Sequence, residues 1–387
     1  MTNRLQPANL RSSHTLHGLN HLRAFAITSV FLFHYRMFGH PAWVDKIAGF
    51  GWTGVDLFFV LSGYLISSQL FSTIAKGENI SVKEFYIKRF FRIIPAYLFI
   101  VAIYFLFPIS HERSALAPLW KYLTFTQNIG LDVRYQGTFS HAWSLCIEEQ
   151  FYFVLPLVIT AGIYLKLKDK LIYLLPILFI AGFIIRYLVY IKLVWPFNED
   201  DAFAIIWYKL MYYPTYSRLD ALLAGITIAA IFQFKPTIKN YMVDFGNTFL
   251  IFGLTVLASG YFICGDETSI STAVFGFPLV AVGFGLIVLS AICPTGILFK
   301  LKSTITAHLA TLSYSIYLSH KIVIHLMQLQ ATKLNIDVNG NVMLLICIVA
   351  SISMAFLMRY LIEKPFLKIR DKILRRETSV VSKSQTV

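Results

Sequence analysis

Long apolar blocks separated by short polar or aromatic segments recur along the whole chain. The clearest occupy residues 25–33, 57–66, 171–185 and 342–358. Apolar runs that approach about 20 residues with few charges are long enough to cross a bilayer as helices. The pattern predicts spans at residues 20–38, 50–72, 93–109, 146–164, 171–193, 217–234, 245–264, 273–293, 305–328 and 342–362. The expected fold is therefore an all-α integral membrane protein, a bundle of about ten transmembrane helices. It divides into an N-terminal segment (1–19), one transmembrane domain (20–366) and a basic tail (367–387). The first 19 residues are polar and no small-residue cleavage site follows the first apolar block, so span 1 is expected to be retained. No internal repeat or long linker is visible.

Composition and charge sharpen this picture. The chain of 387 residues is 57% hydrophobic and only 14% charged, whereas soluble domains keep about a quarter of their residues charged. A net charge of +14 raises the question of nucleic acid, but the positions of the basic residues answer it. With the N-terminus in the cytoplasm, 21 of the 34 Lys and Arg fall in cytoplasmic segments and 6 in outer loops. That bias is the positive-inside signature, and it puts both termini in the cytoplasm, with no nucleic-acid partner. A multi-pass protein of the inner (plasma) membrane is expected. The tail after Glu363, KPFLKIRDKILRR, suits a helix lying on anionic membrane lipids. The four cysteines stand in or beside apolar segments without metal-ligand spacing, and no metal site is expected.

Two outer segments, 110–144 and 194–216, are rich in aromatic residues, including Trp120, Tyr122, Trp143, Trp195, Trp207, Tyr208, Tyr212, Tyr213 and Tyr216. An interfacial aromatic belt accounts for such residues; a rim that binds sugar rings is the functional alternative.

Ionisable residues at membrane depth need a partner or a task. Span 1 reads RAFAITSVFLFH, with Arg23 and His34 eleven positions apart. Eleven steps of 100° close three turns plus 20°, so both share one helix face about 16 Å apart along the axis. Asp56 in span 2 and Glu148 and Glu149 in span 4 are placed at the depth of His34. That level invites an acid–base network, against the plainer account of structural ion pairs. Arg89 and Arg92 stand three apart where span 3 begins, as positive-inside anchors or as holders of cofactor phosphates. Span 9 carries His320 in LSYSIYLSHK.

These segments resemble acyltransferase family 3, the integral-membrane acyltransferases that modify glycans and some small molecules. The matching pieces are LHGLNHLRAFA with His34 after it, GVDLFFVLSGYLI, FYIKRFFRIIPAY, HAWSLCIEEQFYFVLP, SRLDALLAG, LATLSYSIYLSHK and EKPF, in that order between Leu16 and Phe366. LHGLNHLRA departs from the family's more usual Asp-Gly-Leu-Arg-Gly string, and Cys146 stands where Ser is common, so His17 is given no role. The resemblance implies an acyl-CoA donor, most simply acetyl-CoA, used as a substrate with no tightly bound cofactor. It also implies that Arg23 and His34 form the family's arginine–histidine pair and that Arg89 and Arg92 form its arginine pair. Some members carry a fused extracytoplasmic domain. This chain would instead act alone or with a separate extracytoplasmic partner.

The resulting expectation is an O-acyltransferase acting on a cell-envelope glycan or lipid-linked sugar. Donor phosphates would meet Arg23, Arg89 and Arg92. His34, oriented by Asp56 or Glu149 with Glu148 beside it, would be the base, and His141, Trp143, Ser144, Arg218 and His320 would contact the acceptor. A covalent acyl-enzyme on a Ser or His stays open, as does acylation of a small molecule such as an antibiotic. A lipid-linked sugar transporter is the rival from another class. Such a protein shows paired Gly/Pro-broken helices in two related halves, which the sequence does not display.

Overall fold

The computed structural model describes residues 14–384, and every regular element among them is helical. Eleven helices of 15 residues or more carry the architecture of the described residues. They are α1 (His14–Tyr35), α2 (Gly54–Ala75), α3 (Val82–Leu106), α4 (Trp143–Tyr164), α5 (Leu174–Val189), α6 (Asp220–Phe234), α7 (Gly246–Ile263), α8 (Phe277–Ile292), α9 (Thr304–Lys333), α10 (Asn341–Met358) and α11 (Lys364–Ser384). Arg4 and Arg11, which enter the charge bias, lie outside the described residues, as do positions 385–387.

Among the described residues seven helical stretches, against the ten expected, are long and apolar enough to cross a membrane by length and composition. They contain α2, α3, α4, α5, α7, α8, and α10 joined to α11. The three shortfalls have physical causes. At 15 residues, α6 extends only about 22 Å, against a hydrocarbon core of about 30 Å. The other two, α1 and α9, have the length but are interrupted by polar side chains. In α9 these include Ser313, Ser315, Ser319, His320 and Lys321, all buried. A helix can carry such residues when protein rather than lipid surrounds it.

The local signals are conventional. Ser81 caps α3 by accepting from the Glu84 N–H at 3.2 Å, and Ser303 caps α9 in the same way, the serine satisfying a helix-start donor. Packing is tightest between α2 and α6. A Cβ on Gly63 would lie 2.3 Å from the Leu222 carbonyl oxygen, and one on Gly225 2.2 Å from that of Val60. Only glycine lets two backbones approach so closely. In addition, α1 packs along α9, α9 on α10, and α7 on α8. The most enclosed span includes α8, with 78% of its apolar window buried; the one that includes α5 is peripheral, with 11% buried. Beyond α10 a π-helical turn, Arg359–Glu363, leads into α11. The basic tail thus continues the helix of the last span, and the turn places Glu363 inside the bundle.

Candidate active site

Polar groups gather at two places along α1. The first surrounds Arg23. A cavity of about 550 Å³ is lined by Arg23, Arg89, Lys76 and Tyr152 together with a polar stripe of α2. The stripe comprises Ser62, Gln69, Ser72 and Thr73, whose spacing of three, four and seven keeps them on one helix face. Arg89 sits over the Tyr152 ring, 5.4 Å from its centroid, and its Nη2 donates to Gln69 Oε1 at 3.4 Å. Both arginines are half-buried and Lys76 is exposed. Three cations around one open cavity give it the chemistry that suits an anionic ligand.

Arg92 does not share this cavity, although it lies one turn from Arg89. Its Nη1 donates to Glu363 Oε2 at 3.2 Å, and Ser315 of α9 donates to the other carboxylate oxygen. Glu363 is 3% exposed. The expected phosphate-holding pair is therefore split: Arg89 faces the cavity, while Arg92 ties α3 to the end of the last span.

The second place surrounds His34, in the last turn of α1. His34, His141 and His320 are all buried and face one another. Ring centroids are 5.0 Å apart for His34–His320, 5.6 Å for His34–His141 and 5.1 Å for His141–His320. His34 Nδ1 lies 2.8 Å from His320 Nε2, and neither ring nitrogen of His141 makes a well-formed hydrogen bond. Tyr317 donates to the His141 carbonyl at 2.8 Å, and its hydroxyl also meets Ser144 Oγ.

Beside His320, the Lys321 ammonium pairs with Glu112 at 3.0 Å, with both side chains almost entirely enclosed. Glu112 also accepts from the Phe139 N–H at 3.1 Å. Phe139 has φ of 54°, a left-handed conformation that costs an aromatic residue energy. It is held by packing on Tyr104, with ring centroids 4.6 Å apart. That bend turns the chain into the Ser140–Ala142 turn and places His141 against His34. Neither Glu112 nor Phe139 stands out in the sequence. Lys321 does carry a signal, a charge inside a span that demands a partner.

The carboxylates expected beside His34 are elsewhere. Both oxygens of Asp56 accept from Arg218 Nη2 at 2.9 Å. The Arg218 guanidinium is boxed by aromatic rings, with Phe277 at 4.0 Å and Trp143 at 5.6 Å. A second buried pair, Arg186–Asp220 at 2.6 Å, joins α5 to α6 nearby. Arg218 and Trp143, expected to touch the acceptor, belong to this enclosed pairing. Glu148 accepts from Ser62 at 3.0 Å and from Tyr152 at 3.2 Å, two residues of the cavity lining. Glu149 interacts with Glu148 and Arg89. The side chain within hydrogen-bond distance of His34 is thus His320, not Asp56 or Glu149.

The acyltransferase domain model of family 3 matches residues 16–360. O-acetyltransferase OatA of Staphylococcus aureus, from strains NCTC 8325 / PS 47 and MRSA252, is 32% identical over 323 residues, which cover 79% of this chain and 50% of the relative. The chain therefore spans about half the length of these curated relatives. No solved structure matches it.

Proposed function

This chain belongs to acyltransferase family 3, and from that membership we propose that it moves an acyl group, most simply acetyl, from acyl-CoA to a hydroxyl of a cell-envelope glycan. The observation that carries the proposal is the division of α1, which presents Arg23 to an open cationic cavity and His34 to a closed histidine cluster on one helix face. The similarity to O-acetyltransferases supports acetyl as the group and oxygen as the acceptor atom.

In this reading the donor enters from the cytoplasm. Its phosphates meet Arg23 and Arg89 in the cavity, with Lys76 at the mouth, and its long thioester arm runs along α1 towards His34. The acceptor oxygen bonds to the thioester carbonyl carbon as its proton moves to a ring nitrogen of His34. Collapse of the tetrahedral adduct breaks the C–S bond, and the proton leaves with the CoA thiolate as the thiol. His34 acts as a general base, while the enclosed site excludes water that would hydrolyse the thioester. Arg92 and Glu363 hold α3 against α9, so that the cavity and the histidines keep their alignment.

The test is transfer by purified protein in lipid nanodiscs, with radiolabelled acetyl-CoA and envelope glycan fragments. Label should appear in an alkali-labile ester on the glycan, in equal yield with the free thiol released. Absence of both transfer and thiol release, from protein that still binds acetyl-CoA, would overturn the proposal.

A further inference from the structure

General-base chemistry at His34 needs a lone pair on the ring nitrogen that meets the acceptor, and a neutral imidazole can carry its proton on either nitrogen. The hydrogen bonds of His320 decide between them. His320 Nδ1 lies 3.0 Å from the Ile316 carbonyl oxygen and 2.9 Å from that of Tyr317. Carbonyl oxygens only accept, so Nδ1 carries the proton, and in a neutral ring Nε2 then holds the lone pair. That lone pair faces His34 Nδ1 at 2.8 Å. His34 Nδ1 is consequently the donor, which leaves His34 Nε2 bare.

Both rings are buried without a carboxylate contact, since Glu112 is committed to Lys321. Two neutral imidazoles are the form that such an enclosure favours. From this chain of donors and acceptors we infer that His320 is a positioning residue: it fixes His34 as the Nδ1–H tautomer and keeps the basic Nε2 for the acceptor. The inference rests on His34 acting as the base. A carboxylate partner would set the same tautomer but would add a buried charge; a second imidazole sets it without one. The carbonyls of α9, which hold the His320 proton, are the origin of the order.

The experiment is magic-angle-spinning NMR of protein labelled with ¹⁵N-histidine, in lipid, with signals assigned through the His34→Gln and His320→Gln variants. In the unmodified protein His34 should show a protonated Nδ1 and a bare Nε2. His320→Leu should convert His34 to the other tautomer or a mixture and lower kcat by more than about tenfold. Imposing the wrong tautomer on a catalytic histidine costs up to about 10⁴-fold. His320→Gln puts an amide oxygen where Nε2 was, and it should restore both the tautomer and most of kcat with an unchanged KM for acetyl-CoA. A wild-type His34 that is protonated on Nε2, or is an imidazolium, would overturn the inference. So would a His34 signal unmoved by His320→Leu. If His320→Leu does not fold, the wild-type spectrum alone decides. If the tautomer is as stated but His34→Gln remains active, the base assignment fails and the tautomer lock stands.

Discussion

The two ends of α1 are built from the same kind of material, ionisable side chains inside a membrane domain, yet they are arranged in opposite ways. Around Arg23 the cations outnumber the carboxylates, the arginines are only half-buried and the cavity is open. Around His34 the buried cations are paired, Lys321 with Glu112 and Arg218 with Asp56, and the imidazole itself is enclosed. An anionic donor needs unmatched positive charge that it can reach from water. Proton transfer needs a dry site in which no stray charge competes with the base. One helix links the two requirements, and in the proposed reaction the difference between its ends separates binding from chemistry.

The sharpest way to break this comparison is at His34. His34→Gln should lower turnover by about 10²–10⁴-fold, the usual share of a general base, and leave acetyl-CoA affinity unchanged. Isothermal titration and single-turnover kinetics on one preparation separate the two. Near-normal turnover would move the base elsewhere and leave the histidine end as packing.

The matched charges at that end make a second test. Lys321→Met strands the Glu112 carboxylate in an enclosed site, and breaking a buried pair in this way costs roughly 3–5 kcal/mol. Adding Glu112→Gln removes the stranded charge while preserving an acceptor for the Phe139 N–H, so the double variant should recover most of the loss. Unfolding in detergent, followed by Tm, checks this. Equal stability of the single and double variants would mean that water reaches the pair.

At the open end the effects should be smaller and should fall on binding. Arg23→Ala and Arg89→Ala should each weaken acetyl-CoA binding by roughly 1.5–3 kcal/mol, the range of a hydrogen bond to a charged group. Lys in place of either should restore only part of it, because it lacks the bidentate fork. Arg92→Ala, whose guanidinium meets Glu363, should cost stability more than donor affinity. Equal binding defects at Arg89 and Arg92 would restore the phosphate-holding pair that the sequence suggested.

These outcomes also mark where the sequence was legible. Helix content, the placement of Arg23 and His34 on one face, and the family follow from periodicity and motif order, which are local properties. Depth was harder to read. The expected span 4 began at 146 and set Glu148 and Glu149 about a turn inside it, level with His34. In the structure α4 begins at Trp143 and Glu148 stands five residues, about 8 Å, into the helix, but it turns towards Ser62. Partners were the least legible of all. Asp56 lies in the first turn of α2, but its partner is Arg218, 162 positions away, and not His34, and Glu112 and Glu363 come from segments that carry no periodic signal. Which carboxylate neutralises which cation is a property of packing between distant helices.

The smallest expected effect is at the surface just past His34, where the same residue type meets the opposite environment. His40 donates from Nδ1 to the Phe38 carbonyl at 2.7 Å and from Nε2 to Asp45 at 3.0 Å, and Arg36 also meets Asp45, at 2.9 Å. With acceptors on both nitrogens, the charged ring is favoured. The Phe38 carbonyl first, and then Asp45, raise the His40 pKa above its ordinary 6.5, while His40 and then Arg36 hold Asp45 below its ordinary 3.8. A raised histidine contributes stability that is complete below 6.5 and is lost as pH rises through the folded value. A lowered aspartate contributes stability that is complete above 3.8 and is lost as pH falls through its folded value. The turn that joins α1 to residues 43–48 should therefore be most ordered between those limits and loosen on either side. Asp45 is exposed, so solvent screens the effect, and it should appear in local hydrogen exchange rather than in global Tm. Asp45→Asn should lower the His40 pKa, measured by NMR, without changing turnover. A change in turnover would show that this half-buried histidine is coupled to the buried cluster, and the separation between surface and buried histidines would no longer hold.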